Sequence, residues 1–350
     1  MITLTIYLAR FLGLRILAVL FALTSLLLLK DLIENVEDVL DRKGSIVALM
    51  EFVWYRLPTI VESVLPVSVL IGSVLGLRTL STRSELVALW SAGISNAKLF
   101  ALGLPLCCFI AISHHFVVGQ LVPKYENALV EWWNPQGPKN KLLWLSGGEN
   151  FVRIESMSAN GTLLEEVTIF RTDSDDMAFS KTTAASAKHE KQGWLLNDVE
   201  IISGGLSLRE VKQAAEQIWP GGPHPEILLT LFSEPAHLTN RQLRAIVSEQ
   251  WSSSLEQPVY KTELARRAVV PLSSFLMLFL AVITVRGQNR GSGPQISAAI
   301  SIAVGLSFLI ADGFFKTMGR TGLFAAEVAA WSPLLIFFGA ASLVLLRYER

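Results

Sequence analysis

Apolar and polar positions divide this chain into three blocks. Three long apolar runs come first, a polar stretch of well over a hundred residues follows, and three further apolar runs complete the sequence. Each run approaches or exceeds the roughly 18 to 20 residues that an α-helix needs to cross a bilayer core. The pattern therefore predicts six membrane spans, at about 11–29, 57–77, 99–122, 268–285, 292–311 and 328–346. Charges within them are sparse, Arg15 in the first and Glu62 in the second, and the Asp312/Lys316 pair, spaced i,i+4, stands at the end of the fifth.

The polar stretch has a different period. Val152 and Ile154 alternate with Arg153 and Glu155, Val167 and Ile169 with Glu166 and Thr168, and Val199 and Ile201 flank Glu200. Period-two alternation marks half-buried strands. Asn160-Gly161 between two such runs is a hairpin signal because both residues tolerate positive φ. Gln192-Gly193 and Ser203-Gly204-Gly205 supply further turns, so the stretch reads as many short strands of a sandwich or jelly roll. Thr239 and Gln242 have the spacing of a capping box that opens a short helix before the fourth span. The predicted fold is a polytopic α-helical membrane protein with spans arranged three plus three around an inserted β-jellyroll-like domain. Its boundaries fall at 1–122, 123–257 and 258–350.

Composition agrees with a membrane location. Hydrophobic residues make up 51% of the 350, and charged residues, at 17%, fall below the roughly 25% of soluble domains. A formal net charge of zero offers nothing to a nucleic acid. The two cysteines, Cys107 and Cys108, are neighbours in the third span, where adjacent helical positions diverge; they read as packing residues. Arg10 and Arg15 stand before and near the start of the first apolar run, but no A-x-A site follows it, which predicts a retained helix. Six spans put both termini on one side and the polar domain on the other. Arg10, Arg15, Arg78, Arg83, Lys98, Arg286, Arg290, Arg347 and Arg350 outweigh the basic residues of the opposite short loops, although Arg266 and Arg267 count the other way. By the positive-inside rule the termini are cytoplasmic and the domain lies outside.

Between spans two and three, residues 82–93 read as a short amphipathic helix. Thr82 and Glu85 have capping-box spacing, Leu86, Leu89 and Trp90 share a face, and Gly93 ends the helix. Two readings fit: an interfacial helix lying on lipid, or a docking helix for a soluble partner. Other chemistry is thin. No catalytic constellation is present, and no metal-ligand set. His114-His115 diverge on their helix and read as packing or interface residues. Gly291-x-Gly293 lacks the strand-helix context of a nucleotide site, and Trp132-Trp133 reads as an interfacial anchor or a domain hinge. No G-x-x-x-x-G-K-[ST] occurs, so ATP-driven work would need a separate ATPase.

The run Arg83-Ser84-Glu85-Leu86 followed by Ala92-Gly93, the three-plus-three layout, and Tyr260 to Ser273 with Pro271-Leu272-Ser273 opening span four together resemble the LptF/LptG permeases. These are membrane subunits of an ABC exporter that extracts lipopolysaccharide from the inner membrane. The resemblance covers nearly the whole chain and implies an inner-membrane location with a periplasmic β domain. It implies an LptF-like partner permease, an LptB-like ATPase dimer that binds ATP and Mg²⁺, an LptC-like anchored protein and an LptA-like periplasmic bridge extended by strand addition. The chain itself would carry no cofactor. The helix at 82–93 would grip the ATPase through Arg83, Ser84, Glu85, Leu86, Leu89, Trp90 and Gly93, with Glu85 facing a basic groove and Leu86 and Trp90 supplying apolar contact. Within the family, Lys30 points to the LptG-like branch, where a lysine at the outer leaflet meets phosphate or acidic sugar groups; from physics alone it is more often a snorkelling helix-end residue. Asp31, Glu34, Glu37 and Asp38 depart from the basic residues relatives can carry there. Glu62, Asp312 and Lys316 are further candidates for lining a substrate cavity. A reading of another class is a membrane-anchored scaffold or sensor whose outer β domain binds a partner. Its discriminator is polar residues at membrane depth, which a pure anchor does not need.

Overall fold

The computed structural model describes residues 2–133, 143–147, 150–158, 161–172, 179–190, 193–204, 209–232, 234–248, 251–253, 257–287 and 294–349. Two compact units divide the chain: Met1–Leu129 with Thr262–Arg350, and Val130–Lys261. The sequence reading placed the borders at 123 and 257.

The first unit is helical. Its elements are α1 (Ile2–Lys43), α2 (Ile46–Thr82), α3 (Glu85–Ser91), α4 (Asn96–Phe116), a π-helical turn (Val117–Leu121) and α5 (Val122–Trp133), the last crossing into the second unit. After the insertion come α8 (Gln257–Val269), α9 (Ser273–Gly287), α10 (Pro294–Arg320) and α11 (Ala326–Glu349). Six runs among the described residues are long and apolar enough to cross a membrane: Ile2–Asp41, Ile46–Thr82, Asn96–Trp133, Gln257–Val285, Ile302–Arg320 and Ala326–Arg347. The helices outrun their apolar stretches, so a span's end is not a helix's end. Lys30, expected to close the first span, lies inside an unbroken α1 that continues to Lys43.

Local chemistry sets the short breaks. Gly44 turns the chain at φ +61, and the Ser45 side chain accepts from the Val47 amide to start α2. Ser95 does the same for α4 through the Lys98 amide. In the bundle, α2 and α9 are central: 72% of each apolar window is buried, against 17–33% for the other four. Small residues allow α1 to lie directly on α2. A Cβ on Gly72 would stand 2.6 Å from the Ile16 Cα, and one on Gly76 2.5 Å from a Leu12 methyl. Leu8, Leu12 and Ile16 of α1 meet Val69, Leu70, Val74 and Leu77 of α2 and Leu276–Val285 of α9 in one core.

The second unit carries β1 (Leu143–Gly147), β2 (Asn150–Met157), β3 (Leu163–Thr172), β4 (Phe179–Glu190), β5 (Gly193–Gly204), β6 (Arg209–Trp219) and β7 (Trp251–Ser253), with α6 (Pro225–Phe232) and α7 (Asn240–Ser248) before β7. All described strands join one antiparallel sheet in the order β6-β5-β4-β3-β2-β1-β7. The jellyroll-like expectation thus takes the form of a single meander, with β7 returning to β1, and no crossing between two sheets. Asn160, Gln192 and Gly205 lie outside the described residues, but Gly161 sits at φ +70 and Gly193 at φ +127 in the corresponding turns. The capping box forms: the Thr239 amide donates to Gln242 Oε1 at 2.8 Å, and the Gln242 amide to Thr239 Oγ1 at 3.3 Å.

A crease crosses this sheet. Glu166 and Asp198 adopt left-handed φ of 51° and 56° in mid-strand. On either side of them the register is unchanged: Ile154 faces Val167 and Ser156 faces Glu165, while Ala184 faces Val199 and Ser186 faces Asn197. The buried positions, however, step by three across the line, from Ile154 to Met157, Leu164 to Val167, Ala184 to Ala187 and Leu196 to Val199. In β3 and β5 a single left-handed residue reverses the pleat, and across the line the apolar side chains stay on one face.

Candidate functional site

Helix α3 is seven residues long, and its neighbours hold it. Its N-cap Ser84 is left-handed at φ 60 and makes no side-chain cap. The Thr82–Glu85 capping box expected from spacing does not form: the Thr82 hydroxyl donates to the Thr79 carbonyl at 2.9 Å, and the Glu85 carboxylate accepts from the Tyr7 hydroxyl at 2.7 Å. Leu86 is 1% exposed, inserted into the core that Leu8 and Leu12 share, and Leu89 and Trp90 pack against the same core. The expectation that Leu86 offers apolar contact to a partner is therefore corrected; its apolar neighbours are the chain's own. Arg83, Ser84, Val87, Ala88 and Ser91 form the outward face. Gly93, at φ +81, ends the helix as expected, with its amide donating to Trp90 and the Ile94 amide reaching back to Leu89 at 3.1 Å.

The other candidates separate into two groups. Lys30 is exposed and its ammonium meets Glu34 one turn on, at 2.6 Å. The acidic residue beside it has a structural partner: Asp31 takes the Arg56 guanidinium, Nε to Oδ2 at 2.7 Å, and Arg56 also reaches Glu126 at 3.3 Å, so one arginine of α2 joins α1 to α5. Thr59 donates to the same Glu126 carboxylate.

Asp312 does not pair with Lys316. Both of its oxygens are taken by Arg266 of α8, at 2.7 and 2.6 Å, a bidentate fork across 46 residues of sequence. Arg267 is paired with Glu263 at 3.4 Å. Glu62 of α2 lies within electrostatic reach of Lys316, Arg266, Arg267 and Glu263. Three helices thus bring three acids and three bases together, and sequence reasoning found only Glu62, Asp312 and Lys316. The missing signal was Glu263-x-x-Arg266-Arg267, a helical spacing that puts both arginines beside an acid on the same element. Cys107 is buried and Cys108 exposed, both as free thiols. His114 is fully buried and His115 exposed, as their adjacent helical positions require. Trp132 and Trp133 meet edge to face at 5.2 Å. Gly291 and Gly293 lie outside the described residues.

Six membrane-length helices, a polar cluster inside their bundle, a short pinned helix between the second and third, and an antiparallel sheet inserted between the third and fourth define a polytopic membrane protein of the permease class. The chain belongs to the lipopolysaccharide export system permease family LptF/LptG, whose family model matches residues 6–347. It is similar to the lipopolysaccharide export system permease protein LptG of Escherichia coli strain K12, 23% identical over 301 residues that cover 83% of each chain. It is equally similar, at 23% over 344 residues, to the protein of the same name from Haemophilus influenzae, covering 94% of this chain and 95% of that one. Members of this family are transport subunits, not enzymes.

Proposed function

We propose that this chain is the transmembrane subunit of an ABC exporter that extracts lipopolysaccharide from the outer leaflet of the inner membrane and passes it to a periplasmic bridge, with ATP hydrolysed by a separate subunit. The family match across residues 6–347 carries this reading. The termini and α3 are cytoplasmic and the sheet periplasmic. An LptF-like permease pairs with the chain to enclose an apolar cavity, and an LptB-like ATPase dimer, loaded with ATP and Mg²⁺, grips the α3 end. An LptC-like anchored protein and an LptA-like bridge receive the lipid from the β domain. What supports the docking role of α3 is its geometry: a short helix whose apolar side is anchored in the bundle presents Arg83, Ser84, Val87, Ala88 and Ser91 outward and holds Glu85 at its first turn. Lys30, exposed at 63% of its side chain, offers a compact cation to a phosphate, in competition with Glu34. Asp312 is taken by Arg266, while Glu62 and Lys316 stay candidates for lining the cavity.

Tagged protein purified from its native membrane, with bound proteins and lipids identified by mass spectrometry, tests the reading. Wild type retains an ABC ATPase and lipopolysaccharide, and Glu85→Ala loses the ATPase. Recovery of neither with wild type sinks the exporter reading in favour of a scaffold.

A further inference from the structure

We propose that Tyr7 is a positioning residue that ties α3 to α1, so that a displacement of α3 moves the first span and is not absorbed in the turn before α3. The inference rests on the function proposed above and adds the contact through which it would run.

Glu85 and Tyr7 are 78 residues apart in sequence, yet the tyrosine hydroxyl donates to Glu85 Oε2 at 2.7 Å. The residue after each of them is buried: Leu8 and Leu86 are each 1% exposed and share one apolar core with Leu12. The hydrogen bond therefore sits at the rim of a packed contact, which fixes where the two groups meet. Backbone bonds aside, it is the polar side-chain contact at the first turn of α3 among the described residues, because Ser84 supplies no side-chain cap and Thr82 is bonded backward to Thr79.

The contact also continues along α1. Tyr7 stacks on Phe11 with centroids 5.9 Å apart, the Arg15 guanidinium lies 5.2 Å from the Phe11 centroid, and Arg15 donates to Thr79 Oγ1 at 3.3 Å. Tyr7, Phe11 and Arg15 recur every fourth residue, on one stripe of the helix. Helix α1 is thus attached on both sides of the Arg83–Ser84 turn, to the last turns of α2 through Thr79 and to the start of α3 through Glu85. Leu14, Leu17 and Phe21 on its other side are exposed, so protein contact holds α1 along one face only. A helix held on one face and pinned at both arms of a turn follows the turn when it moves. Two elements coupled by a charge-assisted hydrogen bond over a shared core respond together; the same pair without the bond responds through packing alone.

The test uses the complex of full chain and ATPase purified as above and reconstituted in lipid vesicles, with ATP hydrolysis and ATP-dependent release of lipopolysaccharide measured side by side. Tyr7→Phe removes one hydroxyl and keeps the ring on Phe11. The expected result is a wild-type amount of ATPase retained and lipid released per ATP hydrolysed reduced about fivefold, the low end of coupling between sites. A Tyr7→Phe complex with the wild-type ratio overturns the inference, and so does one that sheds its ATPase, since Tyr7 would then act in docking. Failure of wild type to retain any ATPase overturns the underlying reading, and the inference with it.

Discussion

Arg266 and Asp312 meet as a planar fork on a carboxylate, the arrangement in which a guanidinium is held by two parallel hydrogen bonds. Their side chains are 11% and 22% exposed, so the pair is largely withdrawn from water. Leaving one member alone there is costly, while removing both is less so. Asp312→Asn is expected to destabilise the bundle by about 2 kcal/mol, read as a lower unfolding temperature in detergent. Arg266→Gln costs a similar amount, and the double variant costs clearly less than the two together. Strict additivity would show that the fork is not a unit. At this scale the sequence was legible where a residue is unusual for its surroundings: Glu62, Asp312 and Lys316 stand out against apolar spans. It was not legible where the answer is a partner, because the i,i+4 spacing of Asp312 and Lys316 competes with an arginine 46 positions away, and only the packing of α8 on α10 decides between them.

Helix α3 shows the same division for an element. Its start was not readable, since Thr82 closes α2 and Ser84 is the N-cap; its end was, since Gly93 needs only its own φ of +81 to stop a helix. Alanine at that position adopts left-handed backbone at a cost of roughly 1–2 kcal/mol, a large fraction of what a seven-residue helix can contribute. Gly93→Ala is therefore expected to lower the hydrogen-exchange protection of amides in 88–91 while leaving those of α2 unchanged; equal protection would show that the turn tolerates a side chain. Which way α3 faces was not readable. Leu86 fits an outward docking stripe as well as an inward one, and the choice is made by Leu8 and Leu12, nearly eighty residues earlier. Two capping boxes of identical spacing make the point sharply. Thr239 and Gln242 form theirs because no other described residue claims the glutamine, whereas Thr82 and Glu85 do not because Thr79 and Tyr7 claim both ends.

For the whole molecule, the six spans and the inserted sheet follow from the two periods of the chain, and strand order follows from hairpins joining successive strands. Arg266 and Arg267, which weigh against a cytoplasmic placement of the termini, are paired with Asp312 and Glu263 inside the helical unit, so their charges are met there by acids. With Cys107 and Cys108 replaced by alanine, an impermeant maleimide applied to cells with a permeabilised outer membrane is expected to label Glu200→Cys on the sheet and spare Ser91→Cys on α3. The reverse pattern would invert the topology. What the sequence concealed at this scale was the crease, because a step of three between buried residues looks like the end of one strand and the start of another. That line reaches the rim of the sheet at β6, where Asn197 faces Glu216 and Val199 faces Ala214 across the interrupted position. The open margin is thereby cut into two short landings, and a guest strand must either bend at the same place or stop after a few residues. A sheet folded along one line is selective about its visitors: a straight, sticky segment from a misfolded neighbour finds no long runway, while a chain that carries its own kink in the matching position finds one ready.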